Sequence, residues 1–251
     1  MNGKEIKEAV REHYGKVAVE SAGCCSSACG CGTDEAVGIS GPMNDPYAGE
    51  DEAVVEAADL GLGCGTPTRF AGLTEGMTVL DLGSGAGIDV FVAAKQVGPA
   101  GRAIGLDMTD EMLERAERNR SKLGITNAEF RKGEIEDMPA DSGSVDVILS
   151  NCVLNLVPEK RKAFSEMYRV LKQGGTFTVS DIVTDGPVPE KYRADARLWS
   201  GCVSGAEEKN RYLGMLREAG FLNVAVVSEK TYPVPSHVPF KILSITVSGR
   251  K

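Results

Sequence analysis

The stretch Met77–Ile88, MTVLDLGSGAGI, most constrains how this chain folds. MTVLDLG reads as a short buried strand that ends in glycine, and AGIDVFVAAKQV after it reads as a helix. The same unit recurs downstream. GRAIGLDM (101–108) is a second strand. TDEMLERAERNRSKLG (109–124) is a second helix, opened by Thr109 with acidic residues in its first turn. AEFRKG (128–133) and SVDVILSN (144–151) are strands, PEKRKAFSEMYRVLK (158–172) is a helix with proline at its start, and GGTFTVSDIV (174–183) is a fifth strand. A further helix is expected over 205–220, then strands at LNVAVVSEK and PFKILSITVSG. Strands alternating with helices of this length predict an α/β fold on a parallel sheet with right-handed crossovers.

Three regions follow from this pattern. Residues 1–49 hold an amphipathic helix over 3–20, with Ile6, Val10, Tyr14 and Val17 at helical spacing, and then SAGCCSSACGCGTDE, expected to be a mobile loop with four thiols. Residues 50–185 carry the strand–helix units, and residues 186–251 a loop, a helix and the closing strands.

The glycine turn is a ligand cradle. It brings bare backbone and a helix N-terminus to whatever lies beyond the strand. Asp107, which ends the second strand, stands where a carboxylate accepts hydrogen bonds from ribose hydroxyls. A dinucleotide fingerprint needs glycine at position 88, where Ile88 stands. Asp81, just before the first glycine, repels a pyrophosphate and attracts a cation. The pattern D-x-G-x-G-x-G therefore resembles the first motif of class I methyltransferases, whose cofactor, S-adenosylmethionine, carries a sulfonium and an ammonium. On that resemblance Asp81, Gly83, Ser84, Gly85, Gly87, Asp107 and Met108 hold the cofactor, Ile135 and Glu136 lie at its adenine, and Asn151 contacts cofactor and acceptor.

Charge and length exclude several classes. A net charge of −8 lacks the positive footprint of nucleic-acid binding. No apolar run reaches the ~18–20 residues needed to span a bilayer, so no membrane partner is expected. The polar N-terminus lacks a secretory block, so a cytoplasmic location is expected, where thiols stay reduced.

Seven cysteines then call for a role other than disulfides: Cys24, Cys25, Cys29, Cys31, Cys64, Cys152 and Cys202. Cys152 follows the fourth strand, at the edge where open α/β sheets bind ligands, although a small buried core residue fits that place equally well. Cys64 and Cys202 lie among glycines, in LGLGCGTP and WSGCVSGA.

SNCVLNL (150–156), LGLGCGTP (60–67), DLGSGAGID (81–89) and SGCVSGA (200–206) are similar to the hallmark segments of arsenite methyltransferases. The resemblance implies a Rossmann-like, mostly parallel seven-stranded sheet with helices on both faces and an antiparallel last strand. It also implies that Cys64, Cys152 and Cys202 bind trivalent arsenic as substrate, presented as arsenite or a thiol conjugate. Soft thiolates suit such a centre. Its lone pair attacks a methyl group without loss of a proton, so the scarcity of histidines, only His13 and His237, is tolerable. The resemblance further implies that two thiolates re-reduce arsenic and that an external thiol, glutathione or thioredoxin, reopens the resulting disulfide. The cluster CC-x3-C-x-C fits an arsenite relay or an oxidisable tail, and its spacing does not match a zinc site. Two rival functions remain: a methyltransferase for a quinone-like carbon, and a thiol-based metalloid sensor that has kept the fold.

Overall fold

The computed structural model describes residues 2–20, 47, 49–190, 205–234 and 238–251. The expected strand–helix units all form. After helix α1 (Gly3–Glu20) and the short helix α2 (Glu52–Ala58) come β1 (Thr78–Leu82), α3 (Ile88–Val97), β2 (Arg102–Asp107), α4 (Asp110–Leu123), β3 (Ala128–Lys132), β4 (Val145–Asn151), α5 (Lys160–Val170) and β5 (Leu171–Thr184). The two-residue strand β6 (Glu207–Glu208), helix α6 (Lys209–Glu218), β7 (Leu222–Tyr232) and β8 (Ile242–Arg250) complete the order.

The strands run β3-β2-β1-β4-β5-β8-β7, with β6 beside the end of β5. The first five are parallel, and β8 is antiparallel to both β5 and β7. This is the class I methyltransferase fold, with the antiparallel last strand as expected. Two boundaries differ from the sequence reading. The helix over 158–172 stops at Val170, because Leu171 enters the ladder opposite Val145. The helix over 205–220 starts only at Lys209, because Glu207 and Glu208 pair with Val183 and Thr184.

Strand alternation fills two cores. On one face Leu80, Leu82, Ile104, Leu106 and Ile148 pack against Ala163, Phe164 and Met167 of α5 and Tyr212 and Leu216 of α6. On the other, Val79, Ala103, Val147 and Leu149 meet Val90, Phe91 and Ala94 of α3 and Val54 and Ala58 of α2. Local signals end the helices where the sequence suggests. Asp51 caps α2 by accepting from the Ala53 and Val54 amides, and Gly124 ends α4 in the left-handed region at φ 65°.

A third apolar cluster lies at the carboxyl edge of the sheet. It joins Ile6 and Val10 of α1 to Cys64, Cys152, Leu156, Ile182 and Ile242. Helix α1 thus has a buried purpose for the apolar stripe read from its spacing.

Ile148 is fully buried in the central strand. Ile148→Ala is expected to cost about 2–5 kcal/mol of unfolding free energy, measured by urea denaturation, through lost burial and an unfilled cavity.

Candidate functional site

A single cleft at the carboxyl edge gathers most of the residues read from sequence. It encloses about 1120 Å³ of empty space, part of it open to solvent, ample for a nucleoside carrying an amino acid. Asp81, Gly83, Ser84, Gly85, Asp107, Met108, Ile135, Glu136 and Asn151 line it. Gly87 does not. It stands behind the loop as the N-cap of α3, at φ 97°, and a Cβ there would press on Phe91 and Phe130.

The glycine loop is pinned from below. The Gly83 and Ser84 amides donate to the Leu106 carbonyl at 2.7 and 3.0 Å. Asp107 takes the Gly85 amide on Oδ2 and the Thr109 amide on Oδ1, both at 2.9 Å. A Cβ on Gly83 would sit 2.4 Å from Val153, so the turn after Cys152 packs directly on the glycine loop.

Burial pushes three cleft carboxyls upward. Asp81 lies well above the ordinary carboxylate range, with Asp89 and Asp107 adding repulsion. Asp89 is pushed up to about 6, against hydrogen bonds from Tyr47 and Asn151 that hold it down. Asp107 is also raised. Such a wall accepts a cation readily and a phosphate poorly.

Two buried oxygens on the cleft wall have no hydrogen-bond partner, Ser84 Oγ and Asp89 Oδ1, while the buried Glu136 Oε1 is met by Lys7 Nζ. Buried polar atoms rarely stay orphaned, so the wall fits a ligand bearing several donors, among them a positive one. S-adenosylmethionine has that chemistry in its ammonium, ribose hydroxyls and adenine amine.

Several contributors to the cleft escaped the sequence reading. Lys7, Val10 and Tyr14 bring α1 over the cleft. Lys7 Nζ lies 2.6 Å from Glu134 and 3.0 Å from Glu136, which ties the helix to the loop after β3. Arg115 donates to the Ala18 carbonyl at the other end of the helix. Tyr47 and Asp89 are the other missed pair: the buried Tyr47 hydroxyl donates to Asp89 Oδ2 at 2.6 Å. Asp89 follows the glycines closely enough to have been suspected. Tyr47 lies in a proline-rich stretch with no periodicity to mark it.

The thiols lie beside this cleft. Cys152 is on its wall, and Cys64 is not, being buried behind Gly63. Neither is in a disulfide, and both belong to the third apolar cluster. Cys202, with Cys24, Cys25, Cys29 and Cys31, falls outside the described residues. Among the described residues no group of three or more His, Cys, Asp or Glu side chains could hold a metal ion.

Cys152 adopts φ 60°, a conformation that non-glycine residues seldom occupy, and its amide donates to the Ser180 carbonyl at 2.8 Å. Cys64 sits between two glycines for a steric reason. A Cβ on Gly63 would lie 2.7 Å from Asn151 Nδ2, and one on Gly65 2.5 Å from Ser180 Oγ. Asn151 accepts the Cys64 amide on Oδ1 at 3.0 Å and donates through Nδ2 to the Gly65 carbonyl at 2.7 Å, while the Ser244 hydroxyl donates to the Cys64 carbonyl at 2.6 Å. Behind the thiols the Tyr212 hydroxyl donates to Asp181 Oδ2 at 3.1 Å. Burial raises the Tyr212 pKa most, then Asp181, with Cys64 and Cys152 both adding, so both thiols are near enough to act on one hydroxyl.

Comparison with known proteins agrees with this geometry. Residues 73–220 match a family model described as a methyltransferase domain. The arsenite methyltransferase of Halobacterium salinarum is 46% identical, over 99% of this chain and 67% of its own length. That of Aquipseudomonas alcaligenes is 36% identical, over 90% of this chain and 64% of its own. The crystal structure of an arsenic(III) S-adenosylmethionine methyltransferase from Chlamydomonas reinhardtii superposes with a TM-score of 0.71 at 35% identity, covering 82% of this chain and 72% of that one. The chain spans about two thirds of the length of these relatives. A cation-accepting cleft on this sheet, with one thiol on its wall and a second buried beside it, and a match of this extent lead to one assignment: the chain belongs to the arsenite methyltransferase family.

Proposed function

We propose that this protein transfers a methyl group from S-adenosylmethionine to trivalent arsenic held by the thiolates of Cys64, Cys152 and Cys202, and that it serves arsenic detoxification. One observation carries the reading. Two cysteines 88 positions apart in sequence are buried in one apolar cluster at the rim of a cleft suited to a cationic nucleoside.

Bound in that cleft, S-adenosylmethionine supplies an electrophilic methyl group on a positively charged sulfur. The protein's own residues do the rest. Asp107 faces the place of the ribose, Glu136 and Ile135 that of the adenine, and Asp81 and Asp89 that of the charged end. Helix α1, fastened by Lys7, shields the cleft from water. Holding two reactants in line is worth up to about 7–11 kcal/mol of barrier.

Arsenic on soft thiolates keeps a lone pair as its nucleophile. No proton has to leave it, and among the described residues no histidine lines the cleft. Methylation formally takes two electrons from arsenic. Two thiolates of the set return them by closing into a disulfide, which glutathione or thioredoxin reopens. The arsenic arrives as arsenite or its thiol conjugate, and no nucleic acid or membrane takes part. Among the described residues no helix is long and apolar enough to cross a bilayer.

The deciding assay incubates the protein with labelled S-adenosylmethionine, arsenite and a thiol. Labelled methylarsenic is expected. Transfer to a quinone-like carbon acceptor instead would favour the first rival, and arsenite binding without transfer the sensor. Cys64→Ser, Cys152→Ser and Cys202→Ser are each expected to lower arsenic methylation by at least about 100-fold while S-adenosylhomocysteine binding, followed by calorimetry, persists. Normal turnover in any of the three would overturn the thiolate set.

The strained backbone offers a second check. Cys152→Gly relieves the left-handed conformation and Cys152→Ala does not. The glycine variant is therefore expected to be the more stable of the two by about 1 kcal/mol in urea melts, with both inactive.

A cationic ligand favours the ionised form of Asp89, whose pKa is pushed up to about 6. Below that pH, binding must expel a proton. Affinity for S-adenosylhomocysteine, which keeps the ammonium, is thus expected to rise by up to about tenfold per pH unit from pH 5 and to level off above about 6.5. Asp89→Asn should flatten this limb in calorimetric titrations.

A further inference from the structure

Asn151 occupies the boundary between the two halves of the site, and both ends of its amide are engaged by protein. Oδ1 accepts the Cys64 amide, and Nδ2 reaches the Gly65 carbonyl at 2.7 Å, the Tyr47 hydroxyl at 2.8 Å and Asp89 Oδ2 at 3.3 Å. Tyr47 closes a triangle by donating to the same Asp89 oxygen at 2.6 Å. The other oxygen, Asp89 Oδ1, is buried on the cleft wall with no partner. One carboxylate thus turns one face to the cleft and gives the other, through two side chains, to the peptide group of Cys64. Tyr47 is 4% exposed and Asp89 3%, so little water competes with these bonds.

We propose that Tyr47, Asp89 and Asn151 couple the two binding events, so that a cationic amino group at Asp89 Oδ1 and a metalloid at Cys64 bind cooperatively. The inference rests on the function proposed above and adds an order to it. A cation at Oδ1 fixes Asp89 as the ionised acceptor. Its bonds from the Tyr47 hydroxyl and the Asn151 amide are then charge-assisted, shorter and stronger than neutral ones. That fixes the plane of the Asn151 amide, whose Oδ1 accepts the Cys64 N–H, while Ser244 holds the Cys64 carbonyl. With Asn151 fixed, the Cys64 sulfur is held in one place against the cluster that contains Cys152. The glycines on either side of Cys64 let the Asn151 and Ser180 side chains approach this closely, so no bulky neighbour can replace them as a support. Tyr47, Asp89 and Asn151 act here as positioning residues for the thiol.

Linkage makes the effect reciprocal: whatever factor the amino-acid end of the cofactor exerts on arsenite, arsenite exerts on it. The test measures arsenite bound at equilibrium, by dialysis and elemental arsenic analysis, on the intact chain in three states. Saturating S-adenosylhomocysteine is expected to lower the arsenite half-saturation by about fivefold or more. Saturating 5′-methylthioadenosine, the same nucleoside thioether without the ammonium and carboxylate, is expected to leave it within about twofold of the value without nucleoside. In Tyr47→Phe, which removes the hydroxyl shared by Asp89 and Asn151, the factor exerted by S-adenosylhomocysteine is expected to fall to about 1, whatever each ligand's separate affinity. The comparison of two nucleosides needs no variant, so a folding defect in Tyr47→Phe cannot hide the answer. Equal shifts with both nucleosides, no shift with either, or an undiminished factor in folded Tyr47→Phe would each overturn the coupling while leaving arsenite binding intact. Failure of arsenite to bind in every state is a different result and removes the arsenic reading itself.

Discussion

The site is organised by the end of β4. Its last residue, Asn151, points an amide at the loop that carries Cys64, and the next residue, Cys152, turns into the left-handed region so that Val153 lands on Gly83. In three residues the chain supports one thiol, presents another and braces the glycine loop. The parallel sheet makes this possible, because strands β1, β2 and β4 deliver Asp81, Asp107 and Asn151 to the same edge. The cost is local. A non-glycine residue at φ 60° is disfavoured by about 1–2 kcal/mol, and the surrounding contacts must sustain it. Strain held at a residue proposed to touch substrate is consistent with selection for geometry over stability.

Electrostatics give the cleft its preference. Asp81, Asp89 and Asp107 are nearly buried and face one another with no arginine or lysine between them in the described hydrogen-bond pattern. Lys7, the cation on the cleft wall, is engaged at the other end by Glu134 and Glu136. The folded protein therefore carries uncompensated carboxyls whose repulsion a positive ligand removes. A neutral product gives back part of that gain, so the charge that makes a methyl donor electrophilic also separates it from its spent form. The same wall disfavours phosphates, in keeping with Ile88 where a dinucleotide site would need glycine.

Much of the fold was legible because it is written in local signals: glycines at the strand ends, apolar alternation within strands, and an N-cap with acidic first turn at α4. The boundaries that shifted, at Val170 and Lys209, are those where pairing with a distant strand overrode a helical pattern. The glycine loop and its acidic partner were legible for the same reason, since their chemistry resides in consecutive residues. Gly87 belongs to the same run of glycines but stands behind the cleft as the N-cap of α3. What could not be read was the contribution of residues brought in from afar. The periodicity of α1 showed that it buries one face, and only the tertiary fold shows that the face covers the cleft.

Tyr47 is the sharpest case of that limit. It sits 42 positions from Asp89 and 104 from Asn151, in a stretch whose composition reads as a breaker. A lone tyrosine there has no period or motif to distinguish it. Its importance follows from a polar group being buried where water cannot reach: a hydroxyl so placed must find partners, and the partners it finds join a carboxylate of the cleft to the amide that holds Cys64. The converse explains why Asn151 was assigned to the cofactor from sequence. Its place at the strand end lines the cleft, and its Oδ1 and Nδ2 both bond to protein, to the Cys64 amide, the Gly65 carbonyl and the Tyr47 hydroxyl. A residue at the right edge of the sheet can thus serve a ligand by supporting a second group.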